Sequence, residues 1–276
     1  MRRTEHDLAK QPEARGRILR WQAGTAPSRQ ADALAVEEPL EIRVDTRPVS
    51  VTMRTPGHDD ELAAGFLLSE GLLRSPAEIR RVEHHPRNAT GNVVNVFLAS
   101  GVALDFRQLT RHVFASSSCG LCGKATIDAV HRHFKPLKQT LRVAARTLLT
   151  LPDKLRAEQE SFARTGGLHA AAVFDARGRL LVLREDVGRH NAVDKVLGFG
   201  LLRRRLPWDR HLLLVSGRAS FEIVQKALAA RIPVVCAVSA PSSLAVAFAR
   251  ASGQTLVGFL REQHLNVYAG AGRIRF

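Results

Sequence analysis

The run Leu212-Leu213-Leu214-Val215-Ser216-Gly217-Arg218 joins four consecutive apolar residues to a polar loop. Two further apolar runs follow, Val234 to Val238 and Leu256 to Leu260, and helical patterns at Phe221 to Arg231 and Leu244 to Ala251 separate the three. Continuous apolar strands alternating with amphipathic helices are typical of a mostly parallel sheet covered on both faces. We therefore predict an α/β fold here.

The alternation extends upstream of this region. A helical pattern covers residues 151–164, strand-like runs cover 168–174 and 180–183 with a turn between them, and a second helix begins near Asn191. The pattern of strand and helix signals changes at about residue 140, so we predict a C-terminal α/β domain over residues 141–276.

Polar loops follow the strands of this domain, where ligands bind in open α/β sheets. Glycines there allow close backbone approach, and free amides with arginines suit phosphate groups. The candidate binding residues are Gly188, Arg189, His190 and Asn191 in one loop and Ser216, Gly217 and Arg218 in a second, with Ser239 to Ser243 as a third loop. Each loop alone could equally hold ordinary helix caps, turns and solvated charges. No Gly-Lys-Ser/Thr phosphate loop and no Gly-x-Gly-x-x-Gly after a strand is present, which argues against an NTPase and a dinucleotide dehydrogenase.

The N-terminal part has a different pattern. Residues 1–30 are polar and arginine-rich, and we expect a flexible tail there. Residues 31–140 read as a smaller α+β domain: a hairpin over 38–53, a capped helix over 61–71, and strands at 93–98 and 102–106.

Two of the three cysteines, Cys119 and Cys122, lie three residues apart between serines and glycines, just before a helical pattern that begins near Ala125. A helix N-terminus with Lys124 beside it favours the thiolate form. Thiol or sulfur chemistry, a metal site and a dithiol redox pair all remain open at this point. A structural disulfide is disfavoured because so short a loop removes little chain entropy. Zinc would need two more ligands, and His131 and His133 do not have finger spacing.

Composition narrows the class of protein. The 276 residues carry 41 Lys and Arg against 26 Asp and Glu, a net charge of +15, so we expect an anionic ligand or an acidic partner. Aromatic residues make up only 5% and no basic stripe interleaves with them, so nucleic acid is not expected. Cys236 lies in an apolar run and should be core. No apolar stretch approaches a membrane span or a secretory signal, and we expect a cytoplasmic protein without a membrane partner.

Three motifs, in order, carry a resemblance to a known family: Ser118 to Gly123, Glu185 to Lys195 and Ser216 to Glu222. With them the chain resembles the formate dehydrogenase accessory sulfurtransferase family, FdhD, over all but its N-terminal tail. The long second motif and the order of the three make the resemblance specific.

This resemblance implies a cytidine-deaminase-like fold for the C-terminal domain, without the deaminase zinc site or any other metal site. It implies a sulfurtransferase that takes persulfide sulfur from an L-cysteine desulfurase and transfers it to the molybdenum or tungsten bis(molybdopterin guanine dinucleotide) cofactor, bound as substrate. Formate dehydrogenase is the implied client, a homodimer the implied assembly, and GDP a mimic of the cofactor. Cys119 would carry the persulfide, with Cys122 as its neighbour. The segment implied to bind the cofactor comprises Phe259, Leu260, Arg261, Glu262, Gln263 and His264.

Three other functions compete with this reading. A zinc deaminase needs a glutamate two residues after its ligand histidine, which His169-Ala170-Ala171 lacks, and a proline before its Cys-x-x-Cys, which Cys119 lacks. A dithiol redox protein and a non-covalent cofactor chaperone remain alternatives.

Overall fold

The computed structural model describes residues 11–85, 90–102, 123–138 and 141–276. The strands are β1 (Glu13–Arg20), β2 (Ser28–Ala35), β3 (Glu38–Val44), β4 (Arg47–Arg54), β5 (Ile79–His84), β6 (Val93–Leu98), β7 (Val143–Ala144), β8 (His169–Asp175), β9 (Leu180–Asp186), β10 (His211–Val215), β11 (Val234–Ala237), β12 (Thr255–Arg261), β13 (His264–Ala269) and β14 (Ile274–Arg275). The helices are α1 (Asp59–Ser69), α2 (Gly123–His133), α3 (Ala145–Leu149), α4 (Leu151–Ala157), α5 (Glu160–Thr165), α6 (Arg189–Leu202), α7 (Phe221–Ala229) and α8 (Ser243–Ala251). Two 3-10 turns lie at Pro76–Glu78 and Ala271–Arg273.

The C-terminal part is built on a six-stranded mixed sheet in the order β13-β12-β11-β10-β8-β9. Only β10 with β11 and β11 with β12 are parallel, while β8 is antiparallel to both β9 and β10, and β13 to β12. The prediction of a mostly parallel sheet is therefore wrong. Tight turns join β8 to β9 and β12 to β13, and connections that short cannot return a strand in the parallel direction.

Apolar side chains cover both faces of this sheet. Helices α6, α7 and α8 pack on one face around Val193, Leu213 and Phe248, and α3 and α4 pack on the other around Leu148, Leu214 and Cys236. Cys236 is fully buried, as predicted, and its burial raises the pKa of the thiol to about 12. The single helix predicted over 151–164 is two shorter helices, α4 and α5, with Glu158 and Gln159 between them.

A four-stranded sheet in the order β4-β3-β6-β5 forms the N-terminal part, with α1 packed on it. The predicted hairpin and helix are confirmed, and Asp45 and Thr46 form its turn with positive φ at both residues, as a type I′ turn requires. The helix begins at Asp59, and its N-cap residue His58 makes no side-chain capping hydrogen bond, so the predicted cap is wrong. Strand β5 was not predicted, because its charged residues conceal the alternation.

Helix α1 also packs against α6, so it links the two parts of the molecule. A Cβ added to Gly65 would overlap the carbonyl oxygen of Asp194, and one added to Gly198 would overlap that of Glu61. Lys226 on α7 donates to both carboxylate oxygens of the buried Asp194 at 2.8 Å and to Ser69 at 2.8 Å. Helix α2 packs on the C-terminal core as well, where His131 bonds to Ser252 over 2.9 Å.

The prediction of a flexible tail over residues 1–30 is wrong from residue 13 onward, because Glu13–Arg20 and Ser28–Ala35 pair as the antiparallel hairpin β1–β2. Both faces of this ribbon are largely exposed, so it shows none of the apolar alternation that would have revealed it. In the part of the chain that the structure describes, no helix is both long enough and apolar enough to span a membrane.

Candidate functional site

One edge of the six-stranded sheet gathers the candidate loops. Strands β9, β10, β11 and β12 all end there, and β8 begins there, because β8 runs against its neighbours. Helices α6, α7 and α8 start from the same edge. The topology therefore places four strand ends and three helix N-termini together, which is the usual ligand position in α/β sheets.

A cavity of about 630 Å³ opens at this edge on the face covered by α4 and α5. The predicted residues Ser216, Arg261 and Glu262 line it. The remaining wall includes Asp153, Arg156, Gln159, Phe162, Gly167 and His169. Its volume lies within the range of small-molecule sites, about 300–1,000 Å³.

Arg189 lies beside this cavity, at the first turn of α6. A Cβ on Gly217 would be 3.8 Å from the Cδ of Arg189 and 3.3 Å from Nδ1 of His169, so these three residues are neighbours and a side chain at position 217 would crowd the His169 ring. The Nε of Arg189 is buried and has no hydrogen-bond partner within the described residues. Burial, with the charge of Arg189, lowers the pKa of His169, which keeps that ring neutral. An unsatisfied buried guanidinium donor is costly, so it points to an anionic ligand.

His190 lies between α6 and α7. Its Nε2 is 2.8 Å from Oε2 of Glu222 and 3.1 Å from Oγ of Ser220. The hydrogen bond from His190 lowers the pKa of the Glu222 carboxyl, which is therefore negative. Ser220 also caps α7 and Ser242 caps α8, so these serines have the structural role that was open at the sequence level.

Asn191 is buried and uses its amide within the protein. It donates to Met53 O at 2.7 Å and to Asp186 at 3.0 Å, and it accepts from Thr52 at 3.2 Å. Lys195 forms a buried ion pair with Asp186 at 2.6 Å. These contacts fix the Gly188–Asn191 loop against β4, and the Asn191 side chain positions the loop.

The segment of residues 259–264, predicted to bind the cofactor, lies partly in the core and partly at the surface. The Leu260 side chain is fully buried among core residues, so only its backbone could meet a ligand. Arg261 and Glu262 line the cavity, whereas Gln263 is exposed in the turn beyond it and His264 is exposed at the start of β13. Phe259 and Glu262 have positive φ, and Phe259 N donates to Ser239 O at 3.1 Å, which joins this segment to the third loop. Arg218 is exposed at the same edge.

The position of α4 and α5 in the wall of the cavity was not predicted from the sequence, although a helix was predicted there. Glu185 in the second motif accepts from the backbone N–H groups of Ser161 and Phe162 at 3.0 and 2.8 Å, which docks α5 on the sheet. Arg156 stacks over the Phe162 ring at 4.4 Å. No local pattern marks these residues as ligand-facing.

Cys119 and Cys122 lie outside the described residues. Helix α2 begins at Gly123, the residue after Cys122. Among the described residues, no group of three or more His, Cys, Asp or Glu side chains is arranged to hold a metal ion.

A mixed sheet covered by helices on both faces, with a cavity lined by arginine and glycine residues at its carboxyl edge, defines an α/β protein with a candidate ligand site. The fold is similar to the crystal structure of a candidate formate dehydrogenase accessory protein from Desulfotalea psychrophila, with a TM-score of 0.76 and 26% identity over 96% of this chain and 100% of that one.

The FdhD/NarQ family profile matches residues 35–275, and the chain belongs to this family. It is 55% identical to the sulfur carrier protein FdhD of Mycobacterium tuberculosis over 253 residues, which cover 88% of this chain and 92% of that protein. It is 52% identical to the protein of the same name from Streptomyces coelicolor, over 94% of this chain and 95% of that protein.

Proposed function

We propose that this protein is a sulfur carrier that takes persulfide sulfur from an L-cysteine desulfurase onto Cys119. It then transfers the sulfur to a molybdenum or tungsten bis(molybdopterin guanine dinucleotide) cofactor bound at the sheet edge, before the cofactor enters formate dehydrogenase. The observation that carries the proposal is the unpartnered Arg189 Nε beside a cavity of about 630 Å³, in a chain whose relatives are named sulfur carriers. A cytoplasmic homodimer with a deaminase-like C-terminal domain is part of this proposal.

The cavity suits the nucleotide end of such a cofactor. Arg156 and Arg261 line the cavity, and Arg189 lies beside its wall next to Gly217 and His169, so the three would supply guanidinium donors for phosphate. The volume accommodates one nucleotide, so the rest of the cofactor would extend along the edge. GDP is therefore the simplest probe of this site.

The sulfur chemistry needs a thiolate. Cys122 directly precedes an 11-residue helix, whose N-terminal partial charge favours thiolate near it. The Cys119 thiolate attacks the outer sulfur of the donor persulfide, a new S–S bond forms as the old one breaks, and the donor cysteine leaves as thiolate. Cys236 cannot replace it, because burial holds the pKa of its thiol at about 12.

Persulfide loading tests the proposal. The protein is incubated with a cysteine desulfurase and cysteine, and intact mass is measured without reductant. We expect the unmodified chain and the matched control Cys236→Ala to gain reductant-sensitive sulfur, and Cys119→Ala to gain none and to fail in formate dehydrogenase maturation. Full maturation by Cys119→Ala would contradict the carrier role and favour the non-covalent chaperone.

A further inference from the structure

The hairpin of residues 13–35, here called the basic hairpin, has no part in the proposed sulfur transfer. It lies upstream of the family match, which begins at residue 35. Its strands pair only with each other among the described residues. The matches to the Streptomyces coelicolor protein and to the solved structure, which cover 94% and 96% of this chain, extend upstream of residue 35, so the hairpin lies outside the family profile but at least part of it has a counterpart in these proteins.

One face of the basic hairpin is cationic. Paired residues share a face, so Arg15 with Ala33, Arg17 with Ala31 and Arg29 with Leu19 all lie on the same side. The three arginines are exposed, and small alanines opposite leave two of them uncovered. Asp32 lies on the other face, and Glu13 is already paired with Arg164 at 2.7 Å, so no free carboxylate of the hairpin offsets this charge.

Large apolar side chains accompany the charge. Leu19 is 67% exposed within the face, and Trp21, just after β1, is 65% exposed. Tryptophan and arginine are the residues most enriched at the energetic centres of protein interfaces. A duplex nucleic acid would bind the arginines through its phosphates and leave Leu19 and Trp21 unburied, whereas a protein surface buries both. A lipid surface also takes up tryptophan, so the position of the hairpin beside the cavity is what favours a protein partner.

The base of the hairpin rests on the cavity wall. Arg164 of α5 holds Glu13, and Ala35 is so close to Gly167 that a Cβ there would be 3.3 Å from the Ala35 Cβ. Gly167 and Phe162, on the same α5 segment, line the cavity. A partner bound to the hairpin would therefore be held next to the cavity.

We propose that the basic hairpin docks an acidic protein surface of the enzyme that receives the contents of the cavity, so that release and uptake occur side by side. The inference rests on the proposed function, in which that enzyme is formate dehydrogenase. The cationic face supplies charge complementarity and fast association, and Leu19 and Trp21 supply buried apolar area.

Binding of cofactor-free formate dehydrogenase from the same organism tests the inference. The triple variant Arg15→Glu, Arg17→Glu, Arg29→Glu should bind about tenfold or more weakly, with a shallower salt dependence, and Trp21→Ala should bind more weakly without a change in salt dependence. The three corresponding lysine substitutions should restore most of the affinity. The matched control Arg142→Glu, Arg203→Glu, Arg210→Glu makes the same change in net charge at exposed positions elsewhere.

Persulfide loading and GDP affinity of every variant are measured in parallel and should stay unchanged. Equal affinity of the triple variant and the unmodified chain, or an equal loss in the control, would overturn the docking role while leaving the sulfur carrier role intact. A selective loss of duplex DNA or anionic-vesicle binding, with client binding kept, would also overturn it. Absence of client binding by the unmodified chain would contradict the proposed function itself and the inference with it.

Discussion

Arg189 is the residue that most directly links this structure to an anionic ligand. Its Nε is buried beside His169 and Gly217 without a partner in the described part of the chain. A guanidinium–phosphate bond contributes about 1.5–3 kcal/mol, which corresponds to about 10- to 150-fold in affinity. Gly217 has no side chain, so it leaves space beside Arg189 and His169. This proximity is visible only in the tertiary structure.

We expect Arg189→Gln to weaken GDP binding about tenfold or more, measured by calorimetry, because the phosphate loses a charged donor. Arg210 is exposed and precedes β10, so it lies at the opposite end of that strand from the Ser216–Arg218 loop; Arg210→Gln is the matched control and should bind GDP normally. GDP should also stabilise the unmodified protein against heat more than ADP does, since a base-specific site must bond the edge that differs. Unchanged affinity in Arg189→Gln would exclude this arginine from the ligand site.

At the scale of elements, the contact between α1 and α6 unites the two parts of the molecule. Gly65 and Gly198 bring the helix backbones together, and the Lys226–Asp194 pair with Ser69 closes the same junction. The motif residues Asp194 and Lys195 are therefore structural, each in a buried ion pair. Both residues lie one helical turn after the Gly188–Asn191 loop, so their ion pairs hold this loop against the core.

We expect Gly198→Ala to destabilise the protein by about 2–4 kcal/mol, since the new methyl group meets the Glu61 backbone, which cannot rotate away. Urea unfolding measures this change. Ala247→Ser, at an exposed position of α8, adds one atom in open space and should alter the unfolding free energy by less than about 0.5 kcal/mol. A Gly198→Ala protein as stable as the control would show that α1 and α6 are not locked together.

At the scale of the whole molecule, several partly buried histidines couple stability to pH. Loss of hydration is the main cause that lowers the pKa of the partly buried His169 and His211, and it also lowers the pKa of the more exposed His58. The native state keeps these rings neutral, while the unfolded chain takes up protons below its ordinary histidine pKa of about 6.5. Protonation therefore favours unfolding as the pH falls.

We expect the unfolding free energy to decrease as pH falls through about 6.5, because the unfolded state binds more protons there. Burial raises the pKa of Glu185, which acts in the opposite direction, so a histidine variant is needed to separate the two. His211→Gln, away from the candidate site, should reduce the slope between pH 5.5 and about 7 in urea unfolding. A slope that is the same in both proteins would contradict this assignment.

The amino-acid sequence by itself determined the positions of the apolar strands and helices, the burial of Cys236 and the hairpin of β3 and β4, because apolar periodicity and turn residues act locally. The three motifs likewise identified the family. Local pattern also indicated that polar loops follow the strands, and the structure does bring those loops to one edge.

Only the tertiary structure decided the strand directions, the helical wall of the cavity and the division of roles within the motifs. Leu260 and Asn191 have the residue types of a binding segment, yet one lies in the core and the other bonds to β4. The hairpin β1–β2 escaped notice because a ribbon exposed on both faces leaves no apolar signature. These features depend on contacts between residues distant in sequence, which no local period encodes.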